Sequence, residues 1–289
     1  MIFEFSVLAA FGALLCWAFG DFFIQRATRK IGDIETIAWI GLVGSIGLLP
    51  FVLGDIATMF TWGNFWLLLL LSVITFVYAV AQFEAFKRGK LSVVEMIIEV
   101  ELPVTVMLGV IFLGETLTLM QMLLIAGTFF GISLIAMKPG HNTKDRILEK
   151  GFMLALFSTI AMAVVNFLTT VGSRQVSPLA VVWFPWVFVT VLSLAVISKR
   201  RKGIRTLLRD TSKYKGLILA TGIFDTLAWV FFSLAVLEEE LSITVAITES
   251  YPAIAMFLGI WLNKEKFGRH QYVGAVIALA ASIAMGFLV

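Results

Sequence analysis

Ten apolar stretches of about 20 residues follow one another along this chain, which is the length that a helix needs to cross a bilayer. No water reaches the hydrocarbon core, so backbone amides there must be satisfied internally, as they are in helices and closed barrels. The sequence therefore predicts an all-α integral membrane protein with ten transmembrane helices. The predicted spans are 5–25, 35–53, 65–86, 91–113, 118–137, 151–171, 179–198, 215–236, 242–262 and 270–288.

The composition agrees with a membrane location. Hydrophobic residues make up 60% of the 289 residues and charged residues 14%, whereas about a quarter of the residues in a typical soluble protein are charged. The net charge of +3 is too small to indicate a nucleic-acid partner. The single cysteine, Cys16, rules out a disulfide within the chain.

The second half of the chain repeats the first. At a shift of 150 residues, Leu91, Ser92, Glu99, Gly109, Glu115 and Gln121 fall on Leu241, Ser242, Glu249, Gly259, Glu265 and Gln271. At a shift of 145, Ala18, Asp21, Phe22 and Arg29 fall on Ala163, Asn166, Phe167 and Arg174. Such duplication is typical of transporters. We therefore divide the chain into a five-helix repeat at 1–137, an inter-repeat loop at 138–150 and a second five-helix repeat at 151–289.

Basic residues lie almost entirely on one side of the predicted bundle. If successive links alternate between two sides, 21 of the 22 Lys and Arg residues share one side, and only Arg174 lies on the other. The positive-inside rule makes the basic side cytoplasmic and places both termini outside the cell membrane. Each repeat has an odd number of spans, so the two repeats are predicted to be inverted relative to each other.

Several short motifs resemble those of a known family. Residues 112–118 read FLGETLT, and a helix with IAG at 125–127 follows; the second repeat offers SYP at 250–252 and WLNKE at 261–265. With the two five-span repeats, these motifs resemble the EamA-like transporters of the drug/metabolite transporter superfamily. The resemblance covers nearly the whole chain and implies a ten-helix transporter fold. It implies no particular substrate.

Three carboxylates make the predicted fourth span the leading candidate for a polar site. Glu95 and Glu99 are four residues apart and share a helix face, whereas Glu101 lies about 200° around the axis from Glu99. A carboxylate costs roughly 2.5 kcal/mol or more inside a bilayer, so it normally faces a bundle interior or a wet cavity. Pro103 leaves the carbonyl of Glu99 without its helical donor. We expect Glu99 and its repeat mate Glu249 to line a cavity, with Glu95 as an entry or gating residue.

Polar and aromatic residues one helical turn apart mark three further spans. These pairs are Asp21 with Trp17, Tyr78 with Gln82, and Asp225 with Trp229. Asn166, in the sixth span, occupies the repeat position of Asp21. Residues four apart share a face, so we expect these side chains to line one cavity formed mainly by spans 1, 3, 4, 6, 8 and 9.

Simpler structural roles compete with these assignments. A buried carboxylate such as Glu95 or Glu101 can accept hydrogen bonds from Ser, Thr or Trp on a neighbouring helix, and aromatic residues at helical spacing often only pack. The carboxylates favour a functional site, because an acid has no packing reason to lie at membrane depth.

A cationic or zwitterionic substrate fits these residues best. No basic residue lies at the depth of the acids in the predicted spans. The acids must therefore be neutralised by protons or by a bound cation, and aromatic rings add cation–π attraction. The sequence thus favours a secondary transporter of a small metabolite or drug that works by alternating access, with H+ as the candidate coupling ion.

Other functions stay open from the sequence. Clustered carboxylates also suit Mg²⁺-like divalent cations, a groove open to lipid would indicate a lipid flippase, and a scaffold would need no buried acids. An enzyme is not expected, because both histidines, His141 and His270, lie in predicted loops and no catalytic or metal-binding motif is present. We expect no cofactor and a monomer or weak homodimer surrounded by lipid.

The charge distribution yields a test of topology. An epitope tag at either terminus should be reached by antibody on intact cells, because both termini are predicted to lie outside. Labelling of both tags only after permeabilisation would reverse the assigned sidedness of every link.

Overall fold

The computed structural model describes residues 4–88, 97–98, 100–137, 152–200, 203–263 and 267–288, and these are helical with no strand among them. The helices are α1 (Phe5–Ile31), α2 (Asp33–Val52), α3 (Trp62–Arg88), α4 (Glu101–Leu108), α5 (Leu119–Ala136), α6 (Phe152–Gln175), α7 (Ala180–Ser198), α8 (Gly203–Glu238), α9 (Leu241–Thr248), α10 (Tyr251–Asn263) and α11 (Arg269–Gly286). Short turns at Leu53–Asp55 and Ile56–Met59 follow α2, and a π-helical turn at Gly109–Leu113 extends α4. The predicted loop 138–150 and the candidates Glu95 and Glu99 lie outside the described residues.

The helices are those of a multi-pass membrane protein. Eight segments of the described chain are long and apolar enough to cross a membrane, and Glu101–Leu113 forms a shorter apolar helix. α11 begins with Arg269 and His270, which makes its first turn polar. The predicted all-α membrane class is therefore confirmed.

The ninth predicted span is not one helix. α9 ends at Thr248 and α10 begins at Tyr251, with Glu249 and Ser250 in the turn between them. Pro252 explains the break, because it has no N–H to donate to the carbonyl of Thr248 and its ring crowds that carbonyl. The turn therefore leaves the Thr248 carbonyl without its helical donor beside Glu249, in the middle of a buried segment.

The predicted spans leave residues 199–214 as a basic link between the seventh and eighth spans, and this prediction was partly wrong. α8 already begins at Gly203 and continues to Glu238, with a kink at Tyr214, where φ is −120° and ψ is 24°. The reason is one apolar residue within the charged stretch: Leu207 is buried against Ile197 and Ala38. Burial of this side chain stabilises helix where charge alone suggested a loop.

The two ends of the bundle differ in their charges and contacts. At the end that we call the basic end, the Arg200 guanidinium contacts Glu35 at 2.6 Å, and the His270 ring lies 2.8 Å from the carbonyl of Met137. We call the opposite end the acidic end; it carries Glu4, Glu115, Glu239 and Glu240. α1 and α8 run between the two ends side by side, in opposite directions: Gly20 lies beside Asp225, and Gly12 beside Phe231.

α5 and α11 pack with their backbones in close approach. A Cβ atom on Gly131 would lie 2.7 Å from the Ala278 nitrogen and 2.7 Å from the Gly274 carbonyl, and a Cβ on Gly274 would meet the Gly131 carbonyl. Small residues at such crossings are a common way to pack membrane helices. Because the obstructing atoms are backbone, side-chain rotation cannot relieve the clash.

This packing predicts that Gly131→Ala lowers the melting temperature in detergent, with an overpacking cost of about 1–3 kcal/mol. Gly47→Ala on α2 is the matched control, since nothing lies within 4 Å of the added methyl group. We expect the control to be neutral or slightly stabilising, because Ala favours helix over Gly. Equal melting temperatures for both variants would contradict a tight α5–α11 crossing.

Candidate functional site

Carboxyl groups from four parts of the chain interact electrostatically with Tyr78 inside the bundle. The charged neighbours of Tyr78 are Asp21 on α1, Glu101 on α4, Asp225 on α8 and Glu249 in the α9–α10 turn. Asp21 is also an electrostatic neighbour of both Asp225 and Glu249. We call Tyr78 and these four carboxyl groups the acidic cluster. The cluster is negatively charged when any of its carboxyl groups is ionised.

Two of the four carboxylates accept hydrogen bonds from neutral side chains. Asn166 Nδ2 donates to Glu101 Oε1 at 2.7 Å, and the Tyr251 hydroxyl donates to Asp21. The sequence repeat matches Asp21 with Asn166 at a shift of 145, and Glu101 with Tyr251 at a shift of 150. Each contact therefore joins the same two repeat positions, with carboxylate and donor exchanged between them.

Two polar atoms at the cluster are buried without a hydrogen bond from any described residue. They are Asp225 Oδ2 and Asn166 Oδ1. Asp225 is 7% exposed and Asn166 only 1%. A buried acceptor without a donor costs about 1–3 kcal/mol, and more if it is charged, so both atoms are suited to accept from a bound group.

Aromatic rings cover the cluster on the side toward the acidic end. The rings of Trp17 and Trp229 meet edge to face with centroids 5.3 Å apart, and Phe232 contacts both at 5.7 and 5.8 Å. All three are buried. Trp17 precedes Asp21 by one turn of α1, and Trp229 follows Asp225 by one turn of α8, so these rings form a layer directly beside the carboxyl groups.

The exposure of the cluster is uneven. Asp21 and Tyr78 keep accessible surface, whereas Glu101, Asp225 and Glu249 are buried. Asp21 and Tyr78 both lie on the basic-end side of the aromatic layer. The accessible surface of the cluster therefore belongs to Asp21 and Tyr78 and not to its other three members.

The model of the EamA-like transporter family matches residues 4–137 and again 149–287. The chain belongs to the EamA-like transporter family. Two successive matches of one family model also agree with the repeat seen in the sequence.

A solved crystal structure of another protein has the same fold as this EamA-like transporter. The two superpose with a TM-score of 0.78 over 98% of this chain and 96% of the other, at 12% sequence identity. At that identity the likeness concerns the fold alone. No curated protein sequence matches the chain.

In this EamA-like transporter, Glu115 of the FLGETLT motif joins the two halves of the chain through a buried contact, and we call the acidic end closed in this sense. Its carboxylate, 8% exposed, accepts from the backbone nitrogens of Leu241 and Ser242 at 2.5 and 3.0 Å and from the Ser242 hydroxyl at 2.5 Å. These groups form the first turn of α9, whose amides have no partner within the helix. A residue of the first half of the chain thus caps a helix of the second half.

Two glycines explain how Glu115 reaches this position. Gly114 has φ +71°, a left-handed conformation that favours glycine, and it turns the chain back after the π-helical turn. Gly109 leaves the space that the carboxylate fills, since a Cβ there would meet Glu115 Oε2 and lie 2.9 Å from the Ser242 hydroxyl. The turn at Gly114 and the space at Gly109 therefore explain why the motif places a glycine directly before Glu115.

The acidic end also carries a charge-sensitive group. Arg174 donates to the carbonyls of Val236 and Glu239, both at 2.8 Å. Burial raises the pKa of Glu239, and the neighbouring Glu240, Glu4 and Glu115 carboxylates raise it further. The closed end thus binds the Glu239 proton more strongly than an open, solvated end would. The stabilisation that the Glu239 proton gives to the closed end is present at low pH and is lost as the pH rises through the raised pKa of Glu239.

The structure brings together five of the residues that the sequence predicted for the site. They are Asp21, Tyr78, Asn166, Asp225 and Glu249, with Trp17 and Trp229 in the adjacent layer. Among the described residues, no hydrogen bond joins Gln82 to the cluster. Glu95 and Glu99 lie outside the described part. The transport roles of all these residues stay predictions.

Sequence reasoning missed two members of the site and one closing contact. Glu101 was expected to face away from the cavity, on the assumption of a regular helix, but Val100 forms a turn at which α4 begins. Tyr251 was noted only within the Ser-Tyr-Pro motif, and Glu115 only within the FLGETLT motif and as the repeat mate of Glu265. The repeat match of Glu101 with Tyr251 at a shift of 150 was the signal that could have identified these two residues.

The metal-ion alternative receives no geometric support from the described residues. Within them, no three His, Cys, Asp or Glu side chains are arranged so that they could hold one metal ion.

The Glu115 contact predicts a large loss of stability for Glu115→Ala. The substitution leaves two buried backbone N–H groups without an acceptor, each worth about 1–3 kcal/mol. Glu115→Gln should lie between wild type and Ala, because an amide keeps one acceptor oxygen. Thermal unfolding in detergent measures the effect, with Glu4→Gln at the same end as the control. A wild-type melting temperature for Glu115→Ala would show that this contact does not stabilise the closed end.

Proposed function

We propose that this EamA-like transporter is a secondary transporter that carries a small cationic or zwitterionic metabolite or drug across the cell membrane. Transport proceeds by alternating access, and protons compete with the substrate for the same carboxyl groups. The observation that carries the proposal is the acidic cluster, whose charged members are all carboxyl groups.

The chemistry of the cluster favours a cation. Ionised carboxylates in a dry interior repel one another, and each loses several kcal/mol of hydration. Tyr251 and Asn166 compensate only part of this for Asp21 and Glu101, while Asp225 Oδ2 has no donor among the described residues. A bound ammonium or guanidinium group supplies both positive charge and N–H donors. Trp17 and Trp229 add an aromatic wall suited to cation–π attraction.

We also propose the ten-helix, inverted-repeat organisation predicted from the sequence, with repeats at 1–137 and 151–289. The exchanged hydrogen bonds of Asp21 with Tyr251 and of Asn166 with Glu101 support it, because both join equivalent repeat positions. In inverted repeats, a substrate site at the repeat interface is reached from either side as one half rocks against the other.

The described conformation fits one end point of such a cycle. The acidic end is closed by the aromatic layer, Arg174 and Glu115, while Asp21 and Tyr78 keep accessible surface toward the basic end. With the basic end assigned to the cytoplasm by the positive-inside rule, this is an inward-facing state. The opposite state requires α9 to separate from Glu115.

Transport by purified protein in liposomes tests the proposal. We expect uptake of agmatine, which stays charged at neutral pH, and an altered rate when a pH gradient is imposed. Asp225→Asn and Glu249→Gln should remain folded but lose the dependence on pH, because neither amide can exchange a proton. Glu238→Gln, exposed at the end of α8, is the matched control and should behave as wild type.

Other outcomes distinguish the competing functions. Uptake of Mg²⁺ in place of agmatine would indicate a divalent-cation carrier, and movement of fluorescent lipid between leaflets would indicate a flippase. Failure to move agmatine, phenylalanine, Mg²⁺ or lipid would favour a scaffold. Wild-type rates and pH profiles in both acid variants would show that Asp225 and Glu249 are structural.

A further inference from the structure

We propose that Asn166 and Glu101 form an acceptor pair for the N–H groups of the substrate, so that the transporter selects primary ammonium or guanidinium groups over quaternary ammonium. The inference rests on the proposed transport of cations. It goes further by assigning the residues that read the hydrogen-bonding capacity of the cation rather than its charge.

The amide of Asn166 is held in one orientation. Its Nδ2 donates to Glu101 Oε1 at 2.7 Å, and both side chains are buried, at 1% and 4% exposure. The reversed amide would place Oδ1 against the carboxylate, where two acceptors repel. The hydrogen bond to Glu101 therefore fixes which way the amide carbonyl points.

That fixed carbonyl is an acceptor in need of a donor. Asn166 Oδ1 is buried and accepts no hydrogen bond from the described residues. It lies on the same side chain that contacts Glu101, a member of the acidic cluster around Tyr78. In this proposal, a cation bound in the cluster contacts the carbonyl and the Glu101 carboxylate together.

The pair distinguishes between cations of equal charge. A primary ammonium group has three N–H donors and a guanidinium group has five, so either can satisfy Asn166 Oδ1 while it neutralises a carboxylate. A quaternary ammonium group is attracted by carboxylates and aromatic rings but has no N–H to donate. When it binds, the buried carbonyl stays without a partner, and affinity falls accordingly.

The repeat-related contact lacks this capacity. Tyr251 donates its hydroxyl to Asp21 and carries no carbonyl in its side chain. The two contacts are alike in that one carboxylate accepts a hydrogen bond from one neutral donor. They differ in that, of the two donors, only Asn166 offers an additional side-chain acceptor.

Binding of two matched cations to purified protein in detergent tests the inference. Phenethylamine and trimethyl(2-phenylethyl)ammonium both carry one positive charge at pH 7 and the same ring, and differ in N–H donors. By isothermal titration calorimetry, we expect wild type to bind phenethylamine about tenfold more tightly, the ratio expected for one retained hydrogen bond. Asn166→Leu should reduce the ratio to about twofold or less.

Controls keep the result interpretable. Asn166→Ala, a smaller change, replaces the Leu variant if that variant does not fold, and the wild-type ratio tests the inference without any variant. Asn64→Leu removes an amide that donates to the Thr58 carbonyl away from the cluster, and it should keep the wild-type ratio. Equal or tighter wild-type binding of the quaternary cation would overturn the acceptor pair alone. No binding of either cation would overturn the acceptor pair together with the proposed function.

Discussion

Burying several carboxyl groups in the middle of an apolar bundle is the constraint on which the rest of this structure depends. An ion transferred from water into a protein interior loses several kcal/mol even after relaxation, and a folded protein is stable by only about 5–15 kcal/mol. Asp21, Glu101, Asp225 and Glu249 therefore cannot all be ionised, dry and uncompensated. The bundle meets this constraint in part with neutral donors and in part by leaving Asp21 accessible. What stays uncompensated, above all Asp225 Oδ2, is available to a proton or a cation.

The neutral donors occupy positions that the sequence repeat relates to the carboxylates. Both carboxylates that accept from an uncharged side chain, Asp21 and Glu101, lie in the first repeat, and both donors, Asn166 and Tyr251, lie in the second, at positions that the sequence repeat equates. The α9–α10 turn adds Glu249 at a point where Pro252 has already interrupted the helix. A broken helix brings backbone dipoles and a carboxylate to the same depth, which is a recurrent way to build an ion or substrate site in a membrane. The site is therefore a consequence of where the helices break as much as of which side chains they carry.

Much of this arrangement could be predicted from single residues and their spacing. Asp21, Asp225 and Glu249 stand out because acids are rare in apolar spans, and their burial together follows from the cost of exposing them to lipid. Glu101 could not be placed, because its assignment assumed a regular helix and it follows a turn, and Tyr251, which also follows a turn, carried no signal beyond its motif. The helix at 203–213 was not predicted, because charged residues dominate this stretch and Leu207 is the one buried apolar residue described in it. Side-chain contacts between distant parts of the chain, such as Glu115 with α9, have no local signature.

The Glu115 contact links the closed end to the site itself. Glu115 caps the first turn of α9, and α9 ends directly at Glu249, so release of the cap frees the helix that carries a cluster carboxylate. The sequence repeat matches Leu241, Ser242 and Glu115 with Leu91, Ser92 and Glu265. Under the proposed inverted repeats, these sequence positions predict an equivalent contact at the basic end. Opening the acidic end would then change the surroundings of Glu249, so that the proposed alternating access also becomes alternating access of its carboxyl group to protons.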